Sequence, residues 1–430
     1  MGSLCDNLPT DSTTTRRFQE MVAGLKSRLP RVLDPTVTAL KKLLEGDETL
    51  EALCHSMFAE AKELVEAKRA HQVYLAINSI DVLMQMFDYI LTQSPVWEDH
   101  DRPDNLGGLP FNLILMVLME THSGLQLFRH VAVNQHLKHI LQTWAQFLES
   151  PNSLYVLNSQ TGWLSPRAVA RLEDVANKPT GGIRNFIDIY DCPDPNDPET
   201  LGFPSWDAFF SRKFKPGLRP TPSHDALLAN GGSVILNACE SKPWHITRCC
   251  SSGTAIVLKG TSYSIRSMLG NDPLAAHFEN GTVYQAYLSA LSYHRWHAPV
   301  SGIVRKVLYL DGSYFSQLPM SDILAMEKSQ SYLATVAARA AILIDAYDMR
   351  VGLVGLVAVG MGEVSSCEAF VKEGDHVRAG DEIGCFHYGG STHCLLFREG
   401  LDVLFEPIVE DKTKDQNIPV RSLLARCYST

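Results

Sequence analysis

The sequence lacks any run of about 18 uninterrupted apolar residues, the length needed for a membrane-spanning helix. Its strongest apolar stretches, Phe111 to Met119 and Val351 to Gly360, reach about half of that. None of its ten cysteines forms a C-x-x-C pair, which argues against a zinc ribbon or a redox dithiol. Charge is sparse at 20%, and 48 acidic residues outnumber 38 basic ones to leave a net charge of −10. That balance excludes a general binder of nucleic acid or anionic lipid. The N-terminus has no apolar signal region, and Asp6 breaks the myristoylation pattern that Met1-Gly2 would open, so a cytoplasmic location and no membrane association are expected.

What is present is enough apolar material, 45% of 430 residues, for a large core divided over two domains. Up to about residue 150 the apolar residues recur with helical spacing. Asp34-Pro35 reads as an N-cap followed by proline at the first helical position, with Leu40, Leu43 and Leu44 on one face. Ile80, Leu83, Phe87, Ile90 and Leu91 share a face, as do Leu137, Ile140, Leu141, Trp144, Phe147 and Leu148. Proline- and glycine-rich punctuation follows between residues 150 and 198. From about residue 225 short β-type runs take over: Ser233 to Leu236, Thr254 to Leu258, Thr282 to Tyr287, Ile303 to Leu310, Val351 to Val359 and Gly384 to Tyr388. A helix is expected at Ser331 to Ala340. The expected fold class is α+β, with a helical N-terminal domain, residues 1–160, packed on a β-rich, mainly antiparallel domain, residues 161–430. The apolar helices should be covered by the β-rich half or by a second copy in a homodimer.

Three local features could carry chemistry. His294 and His297 lie three apart, but Pro299 argues against a helix that would aim both at one metal, so no metal site is expected there. His130, His136 and His139 are likewise read as a solvated helix face. Imidazoles in such a segment suit proton transfer instead. Gly389-Gly390-Ser391 places a serine after two residues that leave a carbonyl open to attack, although Gly231-Gly232-Ser233 repeats the tripeptide and the G-x-S-x-G elbow is absent from both. Glu240 is an acid inside an apolar segment, Ala238-Cys239-Glu240-Ser241.

Taken in order, these features resemble the pyruvoyl-dependent phosphatidylserine decarboxylases. The resemblance rests on Phe203-Pro204-Ser205-Trp206-Asp207-Ala208-Phe209-Phe210-Ser211-Arg212-Lys213-Phe214 with Arg219-Pro220, on Lys259-Gly260-Thr261-Ser262-Tyr263-Ser264, on Tyr293-His294-Arg295-Trp296-His297, and on Gly380-Asp381-Glu382-Ile383-Gly384-Cys385-Phe386 leading into Gly389-Gly390-Ser391-Thr392. Within the family, the long helical N-terminal region, Gly162-Trp163-Leu164, Ala-Cys-Glu-Ser and Tyr-His-Arg-Trp-His-Ala-Pro-Val resemble the soluble fungal branch that decarboxylates L-tryptophan.

The resemblance implies that Ser391 attacks the carbonyl of Gly390, that the bond between them is cut, and that the serine becomes a covalent pyruvoyl group. The large and small chains then stay together, and no pyridoxal phosphate is needed. It further implies His297 as the base, Glu240 in place of the family's aspartate as the acid that orients it, and His294 as the proton donor after loss of CO2. Tyr293, Trp296 and Phe386 are candidate walls of the substrate pocket. The expected reaction is decarboxylation of a small aromatic L-amino acid, L-tryptophan to tryptamine. The alternatives are phosphatidylserine as substrate, or an uncleaved homologue that binds a partner.

Overall fold

The computed structural model describes residues 12–29, 31–68, 70–98, 109–223, 231–250, 256–258, 261–316, 330–363, 366–387, 391–411, 413 and 416–429. Its first half is helical: α1 (Ser12–Ser27), α2 (Pro35–Gly46), α3 (Glu48–Ala67), α4 (Ile80–Ile90), α5 (Pro110–Met119), α6 (His122–Leu127) and α7 (Val131–Leu148). Further helices α8 (Pro166–Asn177), α9 (Phe186–Ile189) and α10 (Trp206–Phe210) lead into the β-rich half. Local chemistry sets the helix starts. Asp34 caps α2 by accepting from the Thr36 N–H at 2.8 Å, with Pro35 in the first turn. Asp47 caps α3 through the N–H groups of Thr49 and Leu50. The buried stripe of α7, from Val133 and Leu137 through Ile140, Leu141, Trp144 and Leu148, has the spacing read from sequence.

The strands are β1 (Ser233–Leu236), β2 (Lys242–Cys250), β3 (Ile256–Leu258), β4 (Thr261–Tyr263), β5 (Gly281–Leu288), β6 (Arg295–His297), β7 (Gly302–Leu310), β8 (Arg339–Ala346), β9 (Leu353–Gly360), β10 (Ser366–Ala369), β11 (His376–Val377), β12 (Glu382–His387), β13 (Ser391–Phe397), β14 (Leu401–Phe405) and β15 (Leu423–Ser429). Seven of them form one antiparallel sheet in the order β11-β7-β8-β9-β13-β5-β2. Two three-stranded sheets, β10-β12-β6 and β1-β15-β14, and the hairpin β3-β4 complete the described strands. The expected helix at Ser331 to Ala340 is shorter, Gln330–Val336, because Arg339 begins β8. The alanine-rich stretch Ala337 to Ala341 favours helix locally, but Ile342, Leu343 and Ile344 find partners in both β7 and β9, and sheet pairing wins.

One apolar core runs through both halves. Trp163 meets Trp206 at 6.2 Å, and Phe315 meets Phe111 at 6.1 Å. Helix α5 is buried on most of its faces and has no side-chain cap of its own. Its first N–H groups are instead taken by Glu363 from the loop after β9, with Phe111 at 3.1 Å and Asn112 at 2.7 Å. A carboxylate of the β-rich half therefore caps a helix of the other half.

Candidate active site

Ser391 opens β13, the strand that lies between β9 and β5 in the large sheet. It pairs with Gly360 on one side and Leu288 on the other, and every residue of β13 is buried. The neighbouring Thr392 fixes this register by donating to the Ala286 carbonyl at 2.9 Å and accepting from Gln285 at 3.2 Å. The Ser391 hydroxyl is fully buried and has no hydrogen-bond partner among the described residues. The second Gly-Gly-Ser copy differs: Ser233 Oγ donates to Asp348 at 2.5 Å. Gly390 lies outside the described residues.

The two histidines are tied to Ser391 through the chain that leaves β5 and through the pairing of β6 with β12. Strand β5 ends at Leu288, opposite Ser391, and the chain then runs through Tyr293 and His294 into β6. Strand β12, the last element before Ser391, pairs with β6, and the Phe386 N–H donates to the His294 carbonyl at 2.9 Å. His297 Nδ1 lies 2.9 Å from the Gly380 carbonyl oxygen, and Nε2 lies 3.0 Å from the Tyr293 hydroxyl. Arg421 Nε donates to the same carbonyl at 2.8 Å and sits 3.1 Å from Nδ1. The network is satisfied when Nδ1 carries the proton to Gly380, which leaves the lone pair of Nε2 facing Tyr293. Burial, then the Arg421 charge, lowers the His297 pKa to about 3, so the ring is neutral at pH 7. Gly380 has φ +89°, and a Cβ there would lie 2.5 Å from Thr221. Glycine is required for this carbonyl to be placed where it is.

His294 is also buried and neutral, lowered to about 3 by burial and then by Arg212. It stacks on Phe210 with ring centroids 4.0 Å apart. The Ser289 and Ala290 backbone lies near enough to favour its protonation slightly, yet neither ring nitrogen makes a well-formed hydrogen bond among the described residues.

Glu240 is held by a different partner from the one expected. Its carboxylate takes Arg219 through Nε at 3.1 Å and Nη2 at 2.6 Å, and it accepts the Val420 N–H at 2.7 Å. Both side chains are buried, so the carboxylate turns to the guanidinium whose charge it must balance. Its link to His297 is indirect. Arg219 lies over the Phe214 ring at 4.6 Å, Phe214 stacks on Tyr293 at 4.3 Å, and Tyr293 stacks on His297 at 5.8 Å. The backbone adds a direct tie, because the His297 N–H donates to the Ala238 carbonyl at 2.8 Å.

Of the proposed pocket walls, Tyr293 belongs to this stack, whereas Trp296 and Phe386 meet edge to face at 4.9 Å inside the main core. A Cβ on Gly384 would lie 2.5 Å from the Trp296 ring, so the indole packs directly on the β12 backbone. Sequence reading missed three participants. Arg421 holds a left-handed φ of +67°, unusual for a side chain of this kind, and brings its guanidinium to His297. Arg219 was quoted only as part of a motif. His393 stands two residues beyond Ser391 on the same face of β13, between Ala286 and Ala358, fully buried, edge to face with Tyr284 and without a hydrogen-bond partner among the described residues. The alternation of β13 would have exposed it, had the strand been recognised.

Comparison with known proteins gives these features a common origin. Models described as phosphatidylserine decarboxylase match residues 34–172 and 206–417. The chain is 38% identical over 336 residues to "Decarboxylase iboD" of Amanita muscaria, covering 75% of this chain and 92% of that protein. It is 35% identical over 333 residues to an L-tryptophan decarboxylase of Psilocybe cubensis, covering 74% and 72%. A phosphatidylserine decarboxylase proenzyme of Schizosaccharomyces pombe is 31% identical over 240 residues, 55% of this chain and 23% of that protein. With both halves of the chain matched and two fungal relatives aligned over 92% and 72% of their lengths, this protein is a decarboxylase, a carboxy-lyase of the phosphatidylserine decarboxylase family.

Proposed function

We propose that the chain cuts itself between Gly390 and Ser391, and that the mature enzyme removes the α-carboxylate of an aromatic L-amino acid, L-tryptophan. The observation that carries this reading is the Ser391 hydroxyl, buried at the head of a central strand with no partner among the described residues. A buried hydroxyl left unpaired costs about 1–3 kcal/mol, a cost that a role in chemistry explains.

In the cut, Ser391 Oγ bonds to the Gly390 carbonyl carbon while the Gly390–Ser391 C–N bond breaks, and the hydroxyl proton passes to the freed amine. Loss of the Ser391 α-proton with breakage of Cβ–Oγ then leaves a carboxylate on Gly390 and a dehydroalanine at 391. Water displaces ammonia from it and leaves a pyruvoyl group. His297 suits the proton transfers, since its Nε2 lone pair is free of a proton at pH 7 and the Tyr293 hydroxyl beside it extends the relay. Arg219 and Glu240 hold the Phe214–Tyr293 platform on which His297 rests.

The environment of Ser391 fits the group derived from it: fully buried, with the buried, neutral His393 two residues along the same face of β13. That group supplies an electron sink for the carbanion left when CO2 departs. The chain's own part is to keep water out and to deliver a proton, for which His294 is the proposed donor. A small amino acid is favoured over a phospholipid by the L-tryptophan decarboxylase of Psilocybe cubensis, aligned over 72% of its length, against 23% for the phosphatidylserine decarboxylase proenzyme of Schizosaccharomyces pombe.

The deciding experiment is intact mass under denaturing conditions, followed by CO2 release from L-tryptophan and from phosphatidylserine in mixed micelles. A 40-residue fragment blocked at its N-terminus and turnover of free L-tryptophan are expected. A single uncut chain would overturn the reading, and turnover confined to micelles would transfer it to the phospholipid.

A further inference from the structure

Strand β12 carries a second cluster on the side of β10, whereas β6, which holds His297, pairs along its other edge. In the β10–β12 ladder Glu368 stands opposite Cys385, and His387 lies two residues beyond Cys385. Register and alternation therefore place Glu368, Cys385 and His387 on one face. One ligand atom from each lies within 4.8 Å of the others. Cys385 Sγ is 3.3 Å from His387 Nε2, which is 3.1 Å from Glu368 Oε2. The other imidazole nitrogen, Nδ1, faces Asp207 of α10 at 3.0 Å and 3.1 Å.

We propose that Glu368, Cys385 and His387 bind a divalent cation of the zinc class, with Asp207 as a positioning residue. Bonds of about 2.3 Å to sulfur and about 2.0–2.2 Å to nitrogen and oxygen make the edges of a tetrahedral shell roughly 3.3–3.8 Å. The 3.3 Å and 3.1 Å spacings lie at and slightly below those edges. One thiolate, one imidazole and one carboxylate form a borderline-soft donor set that suits zinc better than magnesium or calcium. Asp207 on Nδ1 completes the carboxylate–histidine–metal arrangement that fixes which nitrogen faces the ion. Glu368 is exposed, which leaves the fourth position open to water. The competing description is a protonated imidazole held between Asp207 and Glu368, with the Cys385 sulfur also within reach of Nε2, and metal titration separates the two.

Bound there, the cation would join β10, β12 and α10 four residues before Ser391, and so hold the strand that delivers the Gly390–Ser391 bond. This consequence rests on the self-cleavage reading above, whereas metal binding does not. The test uses the full chain, stripped with a chelator and titrated with Co2+ and then Zn2+. One ion per chain is expected, with a cobalt–thiolate charge-transfer band and the visible bands of a tetrahedral site. Cys385→Ser should abolish the thiolate band. Asp207→Asn should keep the band and weaken affinity about 10–100-fold. Glu368→Ala, at an exposed position that does not endanger folding, should weaken affinity at least about tenfold, on the scale of other changes around a metal ligand. No stoichiometric ion, a thiolate band that survives Cys385→Ser, or unchanged affinity in Glu368→Ala would each overturn the site. The rate at which the small fragment forms, with and without Zn2+, tests the consequence separately. An unchanged rate removes the link to processing and leaves the site, while a chain that never cuts sinks the cleavage reading alone.

Discussion

The helical half and the β-rich half both bury polar side chains, but they treat them differently. Asp88 of α4 is buried among helices and fully engaged, accepting from Arg28 at 3.1 Å, Arg31 at 2.7 Å and the Asp34 N–H at 2.8 Å. Asn112 is the residue of that half whose side chain keeps an unpaired buried polar atom among the described residues. Ser391, His294 and His393, which share that property, all lie in the β-rich half. The same division appears in the backbone, since Leu201, Asn271, Asn280 and Arg421, the described non-glycine residues with left-handed φ, all follow residue 200. One half is built to pack, and the other keeps groups in costly environments where chemistry can use them.

The largest contrast to expect is between Ser391 and Asp88. Ser391→Ala should abolish both the cut and CO2 release, yet leave stability unchanged or slightly raised, because its hydroxyl makes no hydrogen bond to any described residue. A Ser391→Ala protein that still released CO2 would remove Ser391 from the chemistry. His294→Ala should come next: normal formation of the small fragment, with turnover of the mature enzyme lowered about 10²–10⁴-fold, the usual range for a positioned proton donor. Normal turnover by that variant would take His294 out of the scheme. Asp88→Ala reverses the pattern. It removes the partner of Arg28 and Arg31, both partly exposed, leaves the Asp34 N–H unpaired, and should cost about 1–3 kcal/mol in denaturant unfolding. The residual folded protein should process normally.

Acid sharpens the comparison. His294, His297 and His393 are each held down to about 3 from 6.5, with burial as the main cause. The unfolded chain takes up their protons as pH falls through about 6.5, and the folded chain resists until about 3. Their stabilising effect is therefore whole above pH 6.5 and is lost progressively below it, at up to about 1.4 kcal/mol per pH unit for each ring. Urea midpoints at pH 7, 6 and 5 should fall steeply, and His393→Leu should flatten the slope. A slope unchanged by that substitution would mean that His393 is not a buried neutral ring.

Legibility in sequence followed the same division. The helical half could be read because its determinants are local: Asp34-Pro35 caps α2, and the stripe of α7 repeats with the turn of the helix. In the β-rich half the short apolar runs gave the strands β1, β5, β7 and β9 closely, while β2 was hidden by Pro243 and β8 by its alanines. Ser391, His294, His297 and Glu240 could be named from the motifs, but partners could not be, since they are joined across long stretches of chain. Arg219 reaches Glu240 over 21 residues, and Arg421 reaches His297 over 124. Charge balance in a buried space decides that Glu240 turns to Arg219, and no local pattern encodes it. The face of the β10–β12 ladder was equally hidden, because Glu368 and His387 become neighbours only through strand register.

The smallest effect tests whether the helical half is scaffold alone. Asp47 is exposed, and its carboxylate accepts from Thr49 at 2.9 Å and Leu50 at 3.1 Å to cap α3. Asp47→Ala should lower stability by about 1 kcal/mol, the usual loss for an N-cap. Helix α3 packs on the rest of the helical half through Leu50, Cys54, Met57, Ala61 and Val65, none of which belongs to the site. The rate of fragment formation and the turnover of the mature enzyme should therefore match those of the parent chain, measured well below the thermal midpoint. A change of tenfold or more in either rate, with the protein fully folded, would mean that the helices do more than cover the apolar faces of the catalytic half. The route for such coupling is already visible, because Glu363 caps α5 from the loop that follows β9, the strand paired with Ser391. An Asp47→Ala protein that keeps both rates, beside a Glu363→Gln protein that loses one of them, would locate the coupling at that single cap.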